Sequence, residues 1–144
     1  MGAEVTGKVV GIADGDTITV LDNNKKQYKI RLQGIDSPES GQPFSQNAKE
    51  NLSDLIFGKT VKVLIYKKDR YNRSLGTVYL DGKDINLEQI KAGYAWHYKK
   101  YQSDQNQSER EQYSTAETSA RAGRIGLWRD AAPVVPEEWR SWKA

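Results

Sequence analysis

The chain has 144 residues, no cysteine, and 22 Lys plus Arg against 19 Asp plus Glu. This length predicts one domain with a real hydrophobic core, and the lack of cysteine excludes disulfides and thiolate metal sites. No apolar run is long enough to cross a membrane, so we expect no membrane-spanning segment. The first residues lack the charged and then apolar pattern of a secretion signal, but a removed signal would leave the same sequence, so export stays open.

The net charge of +3 is small, but the basic side chains are concentrated in one stretch and in the pair Lys99-Lys100. Such clusters suit a polyanionic partner such as nucleic acid, although a solvated face is the commoner explanation of a run of charge. The main stretch contains Lys59, Lys62, Lys67, Lys68, Arg70 and Arg73.

Five segments have the alternation and the β-branched residues that are typical of strands. Asp14-Gly15 separates the first two, and this dipeptide is the strongest short signal of a hairpin. The first three segments should form an antiparallel meander, whose edges must be covered or closed. The predicted strands are residues 4–12, 17–21, 27–33, 60–66 and 75–80.

Three segments have apolar residues at helical spacing, and Gly58 and Gly93 follow the first two, where helices end. Ser108 and Glu111 have the spacing of a capping box at the start of the third. This order of elements predicts an α+β fold that is mainly β, a five-stranded barrel of the oligonucleotide-binding (OB) type with about three helices. The predicted helices are residues 44–57, 86–92 and 108–122.

The composition changes after residue 128 to a segment rich in proline and tryptophan. We expect residues 1–128 to form the barrel domain and residues 129–144, the C-terminal tail, to pack on it. Binding of another protein through Trp139 and Trp142 is the alternative use of this tail.

The segment Arg31–Glu39 (RLQGIDSPE) joins a strand end to one guanidinium and two carboxylates. The strand must stop at Pro38, because proline has no N–H and disfavours helix in the residue before it. If the second predicted strand pairs with the third, Asp16 lies near Asp36, and two facing carboxylates repel unless a cation intervenes. Oxygen ligands favour Ca²⁺ or Mg²⁺, which the sequence does not rank. A solvated strand end and a plain hairpin corner are the alternatives.

The single histidine, His97, excludes a mechanism that needs two histidines, and its aromatic neighbours are more typical of a structural role. Proton transfer then falls to a carboxylate, for which Glu39 is the candidate. Arg73 lies in a polar loop and could offer, with Arg31, a second fork of donors for phosphate oxygens. Tyr71 in the same loop could stack on a base or a sugar.

Several of these motifs occur together in an order and spacing that resemble the staphylococcal-type thermonuclease (micrococcal nuclease) family. The resemblance runs from about Val9 to Trp128. Its landmarks are DGDT at 14–17, RLQGIDSPE at 31–39, DRYNR at 69–73, NLEQIKAGYAW at 86–96 and GLW at 126–128.

The resemblance implies an OB-fold barrel and a calcium-dependent endonuclease, a hydrolase that cleaves phosphodiester bonds of DNA and RNA. It implies one Ca²⁺ ion, bound by the carboxylates of Asp16 and Asp36 and by the backbone carbonyl of Ser37. The catalytic residues that it implies are Arg31, Glu39 and Arg73, and the substrate-binding residues are Arg70, Tyr71 and Tyr101.

The family mechanism implies in-line attack by water that leaves a 3′-phosphate. Glu39 would accept the proton of the water or position the water, while Arg31 and Arg73 would bind the transition state. The family also implies a secreted or periplasmic location, with the cytoplasm as the alternative, and we expect a monomer. A non-catalytic OB-fold module that binds nucleic acid is the alternative function.

The chain departs from the usual pattern of this family in three places. Ser37 replaces a threonine, the segment Ser40–Phe44 is short, and the run WHYKKY at 96–101 differs from the best-known member. The C-terminal tail is an addition to the minimal domain.

Overall fold

A computed structural model describes residues 3–143 of the chain, so that Met1, Gly2 and Ala144 of the predicted ranges 1–128 and 129–144 lie outside the described residues. The chain alternates polar and β-branched residues over its first third, and this segment forms three antiparallel strands as predicted. The strands of the described residues are β1 (Ala3–Asp14), β2 (Thr17–Leu21), β3 (Gln27–Leu32), β4 (Ile35–Asp36), β5 (Thr60–Lys68), β6 (Ser74–Leu80), β7 (Lys83–Asp84) and β8 (Trp96–His97).

Five of these strands close into a barrel. β1 pairs with β2 on one side and with β5 on the other, and β2–β3 and β5–β6 continue the antiparallel sheet. The parallel pairing of β3 with β6 closes the ring, which removes the open edges that a meander would leave. The predicted five-stranded barrel is therefore confirmed.

The described residues contain four α-helices: α1 (Ser45–Ile56), α2 (Ile85–Lys91), α3 (Gln107–Ala122) and α4 (Pro136–Lys143). The first three match the predicted helices, and α1 buries Ala48, Leu52 and Ile56 on the expected face. α4 lies in the C-terminal tail, where no helix was predicted. No helix of residues 3–143 has the length and apolar character needed to cross a bilayer.

The predicted capping box at Ser108 and Glu111 is wrong, because the N-cap of α3 is Asn106, two residues before Ser108. Asn106 accepts a hydrogen bond from the backbone N–H of Glu109 (2.8 Å), and the Glu109 side chain accepts one from the Asn106 N–H (3.2 Å). Both pairs have the required spacing, and Asn106 is at least as good an N-cap as serine.

The barrel interior is lined by β-branched and leucine side chains that water does not reach, among them Val9, Ile18, Val20, Ile30, Leu32 and Val63. A second, smaller cluster of Ala120, Leu127 and Trp128 packs against Phe44 and Trp96 beneath the end of α3. These clusters fix the strands and helices whose ends carry the polar residues described below.

Two buried amides attach α2 to the barrel. Gln89 donates to the carbonyls of Gly15 (2.9 Å) and Ala48 (3.0 Å). Asn86 donates to the carbonyl of Gln33 (2.9 Å) and accepts from the N–H of Val78 (3.1 Å). Because the Gly15 carbonyl belongs to the β1–β2 hairpin, Gln89 holds the turn that carries two carboxylates.

Candidate active site

The ends of β2 and β3 bring two buried carboxylates together. Thr17 is paired with Arg31, and the N–H of Leu32 donates to the carbonyl of Asp16 (2.8 Å). Asp36 follows in β4, and the next N–H, that of Ser37, donates to Asp16 Oδ2 (2.9 Å). Asp16 is 5% exposed and Asp36 2% exposed.

Gly15 allows the hairpin to approach this region closely. A Cβ at Gly15 would lie 2.7 Å from Ser37 Oγ and 2.7 Å from the Cβ of Ala48, so no side chain fits there. The hairpin therefore packs directly against Ser37 and α1, which sets the depth of Asp16 in the site.

The guanidinium of Arg31 lies between the two carboxylates. Its Nη1 donates to the carbonyls of Leu32 (2.8 Å) and Ile35 (2.9 Å). Its Nη2 lies 3.3 Å from Asp36 Oδ1 and 3.4 Å from Asp16 Oδ2. Because one nitrogen contacts both acids, the carboxylates converge on a single cationic position.

A third carboxylate, Asp14, joins this group from the other side of the hairpin. It accepts a hydrogen bond from the N–H of Asp16 (3.0 Å). Burial and the charge of Asp16 raise the pKa of Asp14 to about 7. Burial also raises the pKa of Asp36 to about 6, against the lowering effect of Arg140 and Arg31. Burial acts on Asp16 too, but the charge of Arg31 and several hydrogen bonds outweigh it and lower the pKa of Asp16.

We expect Asp14→Asn to stabilise the metal-free protein at pH 8 and to have no effect at pH 4. The folded pKa of Asp14, about 7, lies above its ordinary value of 3.8, so the folded state holds the proton more tightly. The contribution of Asp14 to stability is thus complete below pH 4 and is lost as the pH rises towards 7. Asparagine keeps the oxygen that accepts from Asp16 but has no charge, so the gain at pH 8 should be on the order of 1–2 kcal/mol.

Denaturant unfolding in chelator at the two pH values measures this difference. Asp54→Asn, on the exposed face of α1, is the matched control. An equal effect of Asp14→Asn at both pH values would contradict the ionisation argument.

Glu39 lies in a tight turn directly after Pro38. Its N–H donates to Gln42 Oε1 (2.9 Å), and the N–H of Gln42 donates back to the Glu39 carbonyl (2.8 Å). The side chain of Glu39 is 33% exposed, so it faces both the acidic site and solvent. The short segment Ser40–Phe44 thus closes locally instead of extending over the site.

Arg140 of α4 reaches into this site, although the sequence gives no signal for it. Its Nη2 lies 3.0 Å from Asp36 Oδ2, and its Nη1 lies 3.2 Å from Asp36 Oδ1. Nη1 also donates to Glu39 Oε1, and Nη2 lies 3.3 Å from the hydroxyl of Tyr98. Arg140 therefore binds the candidate metal ligand Asp36 and the candidate base Glu39 at once.

Tyr98 is a second residue of the site that sequence reasoning missed. The centre of its ring lies 6.0 Å from the guanidinium carbon of Arg31. The ring of Tyr101 meets it edge to face at 5.0 Å, and Tyr101 is about half exposed. Tyr98 directly follows β8, whose Trp96 pairs with Asp36 of β4. Tyr98 therefore reaches the site through tertiary structure alone.

The loop between β5 and β6 forms a separate basic cluster. Arg73 Nε donates to Asp69 Oδ2 (2.8 Å), so the structure binds Arg73 within its own loop and not to Arg31. The guanidinium carbons of Arg70 and Arg73 lie 5.0 and 5.3 Å from the centre of the Tyr71 ring. Leu75, two residues after Arg73, pairs with Arg31 across the β3–β6 closure, so the end of the loop lies next to β3.

The ring of the sole histidine is bound by a residue outside this group. His97 is buried, its Nε2 is 2.8 Å from Gln105 Oε1, and burial lowers its pKa. These contacts give His97 a structural role, linking β8 to the residues before α3.

The donor set fits a hard divalent cation. Asp16 and Asp36 supply two carboxylates, and Ser37 Oγ is a buried polar atom that has no hydrogen-bond partner within residues 3–143. In the same residues, no three acidic or histidine side chains are close enough to hold a metal by themselves. A cation here would thus need backbone or water oxygens besides the two acids, as Ca²⁺ and Mg²⁺ sites commonly do.

The fold and the site define a small β-barrel protein with paired carboxylates and guanidinium groups at its strand ends. Residues 29–130 match the family model described as staphylococcal nuclease homologue. The chain belongs to this nuclease family.

Relatives from bacteria and plants support the assignment. An "Uncharacterized endonuclease" of Haemophilus influenzae is 45% identical over 135 residues, which cover 94% of this chain and 72% of that protein. A "Micrococcal nuclease" of Shigella flexneri is 39% identical over 147 residues, which cover 96% and 82%. A "Probable staphylococcal-like nuclease CAN1" of Oryza sativa subsp. japonica is 43% identical over 115 residues; the match covers 80% of this chain but only 33% of that longer protein.

Proposed function

We propose that the protein is a calcium-dependent endonuclease that hydrolyses phosphodiester bonds of DNA and RNA and leaves 3′-phosphate ends. The observation that carries the proposal is the convergence of Asp16 and Asp36 on the Arg31 guanidinium, with Glu39 at the open side of the same site. Acidic ligands, a cationic fork and an exposed carboxylate are the groups that metal-assisted phosphodiester hydrolysis requires.

Asp16, Asp36 and the backbone carbonyl of Ser37 would hold the Ca²⁺ ion, a role consistent with their oxygen-only chemistry. When bound, this ion supplies positive charge to the phosphate and lowers the pKa of a bound water. The burial of both acids favours such an ion, because ionised carboxylates in a buried site require a compensating charge.

Glu39 accepts the proton of the attacking water. Its partial exposure leaves it able to contact solvent, and a carboxylate can serve as a general base. Attack opposite the 5′-oxygen breaks the bond from phosphorus to that oxygen and leaves the phosphate on the 3′ side. The 5′-oxygen takes up a proton as it leaves.

Arg31 and Arg73 stabilise the negative charge of the phosphate. Arg31 is fixed by two backbone carbonyls, so its Nη2 is held in place beside the acids. Arg73 contacts only residues of its own loop in the structure, Asp69 and Tyr71, and it would turn from them to a phosphate bound near Arg31. Donors that are placed before the reaction stabilise the developing charge without reorganisation.

Exposed residues around the site would hold the rest of the nucleic acid. Tyr71 is 64% exposed, and the guanidinium carbons of Arg70 and Arg73 lie within 5.3 Å of the centre of its ring, so an aromatic ring for a base and cations for phosphates are close together. Arg70 and the half-exposed Tyr101 would add a further cation and a further ring.

The test is cleavage of supercoiled plasmid and of single-stranded RNA in millimolar Ca²⁺ and, in parallel, in excess chelator. We expect cleavage of both substrates with Ca²⁺ only, and products that lose a terminal phosphate from their 3′ ends after phosphatase treatment. Binding of DNA in a gel-shift assay without cleavage in either condition would reject the proposal in favour of a non-catalytic binding module. Arg140→Gln should be assayed beside the parent, because Arg140 contacts Asp36 and Glu39 and could mask the activity of the parent.

A further inference from the structure

The C-terminal helix α4 places a positive charge where the candidate site would bind its cation. Arg140 contacts both oxygens of Asp36 and one oxygen of Glu39. We infer that α4 is an internal inhibitor, in which Arg140 takes the place of the divalent cation and must leave before the cation binds. This inference rests on the proposed metal site.

The contacts of Asp36 show why the two cations compete. Oδ1 of Asp36 already lies 3.3 Å from Arg31 and 3.2 Å from Arg140, and Oδ2 lies 3.0 Å from Arg140. A divalent ion needs at least one of these oxygens at coordination distance and would then stand beside a like charge. Either Arg140 or the divalent ion can neutralise the Asp36 carboxylate, but the two cannot bind it together.

One side of α4 is exposed, since Glu138, Ser141 and Trp142 face solvent. Neither hydrophobic cluster of the described residues contains a side chain from α4. Its ion pair between Glu137 and Lys100 (3.1 Å) joins side chains that are 46% and 57% exposed, and such surface pairs contribute little. The contacts of Arg140 with the acids link this surface helix to the candidate site.

The segment before α4 is anchored independently. Gln42 donates to the carbonyl of Val134, and Pro136, the first residue of α4, is buried. Release of Arg140 would thus separate its guanidinium from the acids while the C-terminal tail stays on the barrel at Val134 and Pro136. The helix would remain close to the site and could return when the cation leaves.

Calcium binding measured by titration calorimetry tests the inference. Arg140→Gln removes the competing charge, and we expect its dissociation constant for Ca²⁺ to be about tenfold lower than that of the parent if the closed form is about 90% populated. Arg140→Lys keeps a charge without the planar fork and should fall between the two. Arg124→Gln, at an exposed position after α3, makes the same charge change outside the site and should bind Ca²⁺ like the parent.

Hydrogen exchange of the parent protein separates displacement from simple charge repulsion. If Arg140 must leave, adding Ca²⁺ should speed exchange of the α4 amides at residues 139–143 and leave the barrel strands as protected as before.

Tighter Ca²⁺ binding by Arg140→Gln without this change in the parent would overturn the inference. Equal affinity of Arg140→Gln and the parent, or slower cleavage by Arg140→Gln in saturating Ca²⁺, would also overturn it while leaving the nuclease proposal intact. Absence of Ca²⁺ binding in every variant would reject the metal site and the inference together.

Discussion

Glu39→Gln is expected to lower the rate of DNA cleavage by about 10²–10⁴-fold in saturating Ca²⁺, the usual effect of losing a catalytic acid or base. Glutamine has nearly the same shape, and its carbonyl oxygen can still accept from Arg140. The variant therefore removes the proton acceptor without emptying the site. Initial rates of plasmid nicking across a range of Ca²⁺ concentrations give the rate and the apparent affinity for the ion.

The expected signature is a loss of rate without weaker Ca²⁺ binding. Glu39 holds Arg140 through a charge-assisted hydrogen bond, and the neutral glutamine holds it less well. The apparent affinity for Ca²⁺ should hence stay the same or rise slightly. Glu50→Gln, on the exposed surface of α1, is the matched control. Cleavage by Glu39→Gln at the parent rate would show that another group takes the proton.

Local signals were sufficient to predict most of the barrel. The β1–β2 hairpin forms where Asp14-Gly15 predicts a turn, with Gly15 and Asp16 as its two turn residues, and β2 has the predicted bounds Thr17–Leu21. Glycines mark the ends of α1 and α2, where Gly58 and Gly93 have φ values of 77° and 82°. Turn chemistry and alternation act over a few residues, so a single sequence is enough to read them.

The start of α3 shows how local signals can mislead. The sequence Asn106-Gln107-Ser108-Glu109-Arg110-Glu111 contains two capping boxes in different registers, and propensity does not choose between them. The preceding residue, Gln105, is buried against His97, so the chain is still extended at Asn106 and the helix begins there. Tertiary contacts therefore determine which of the two capping boxes forms.

The sequence was sufficient to predict some residues of the candidate site but not others. The meeting of Asp16, Arg31 and Asp36 follows from pairing of consecutive strands and could be predicted. Arg140 could not, because it is 104 residues from Asp36 and lies in a segment with no strand or family pattern to place it. Asp14 was visible as part of the hairpin, but its role depends on burial, which the sequence does not state.

Arg31→Lys is expected to reduce both stability and activity. Arg31 binds several buried acceptors and would also present a planar fork to the phosphate, and lysine cannot do both. The guanidinium serves four acceptors: the carbonyls of Leu32 and Ile35, and the carboxylates of Asp16 and Asp36. A lysine ammonium has three donors on one nitrogen and cannot span these positions. One or two buried acceptors would lose their partner, which costs about 2 kcal/mol of the free energy of unfolding.

The loss of rate should exceed what partial unfolding explains. A lysine that stays on the backbone carbonyls cannot also present a planar fork to the phosphate, so we expect cleavage to fall about 10²–10³-fold, as when one preorganised donor is lost. Denaturant unfolding and cleavage rates measured below the unfolding transition separate the two effects. Arg124→Lys is the control at an exposed position. Full activity of Arg31→Lys at a temperature where it is folded would show that the guanidinium only supports the carboxylates, since its contact with the phosphate would then contribute nothing to the reaction.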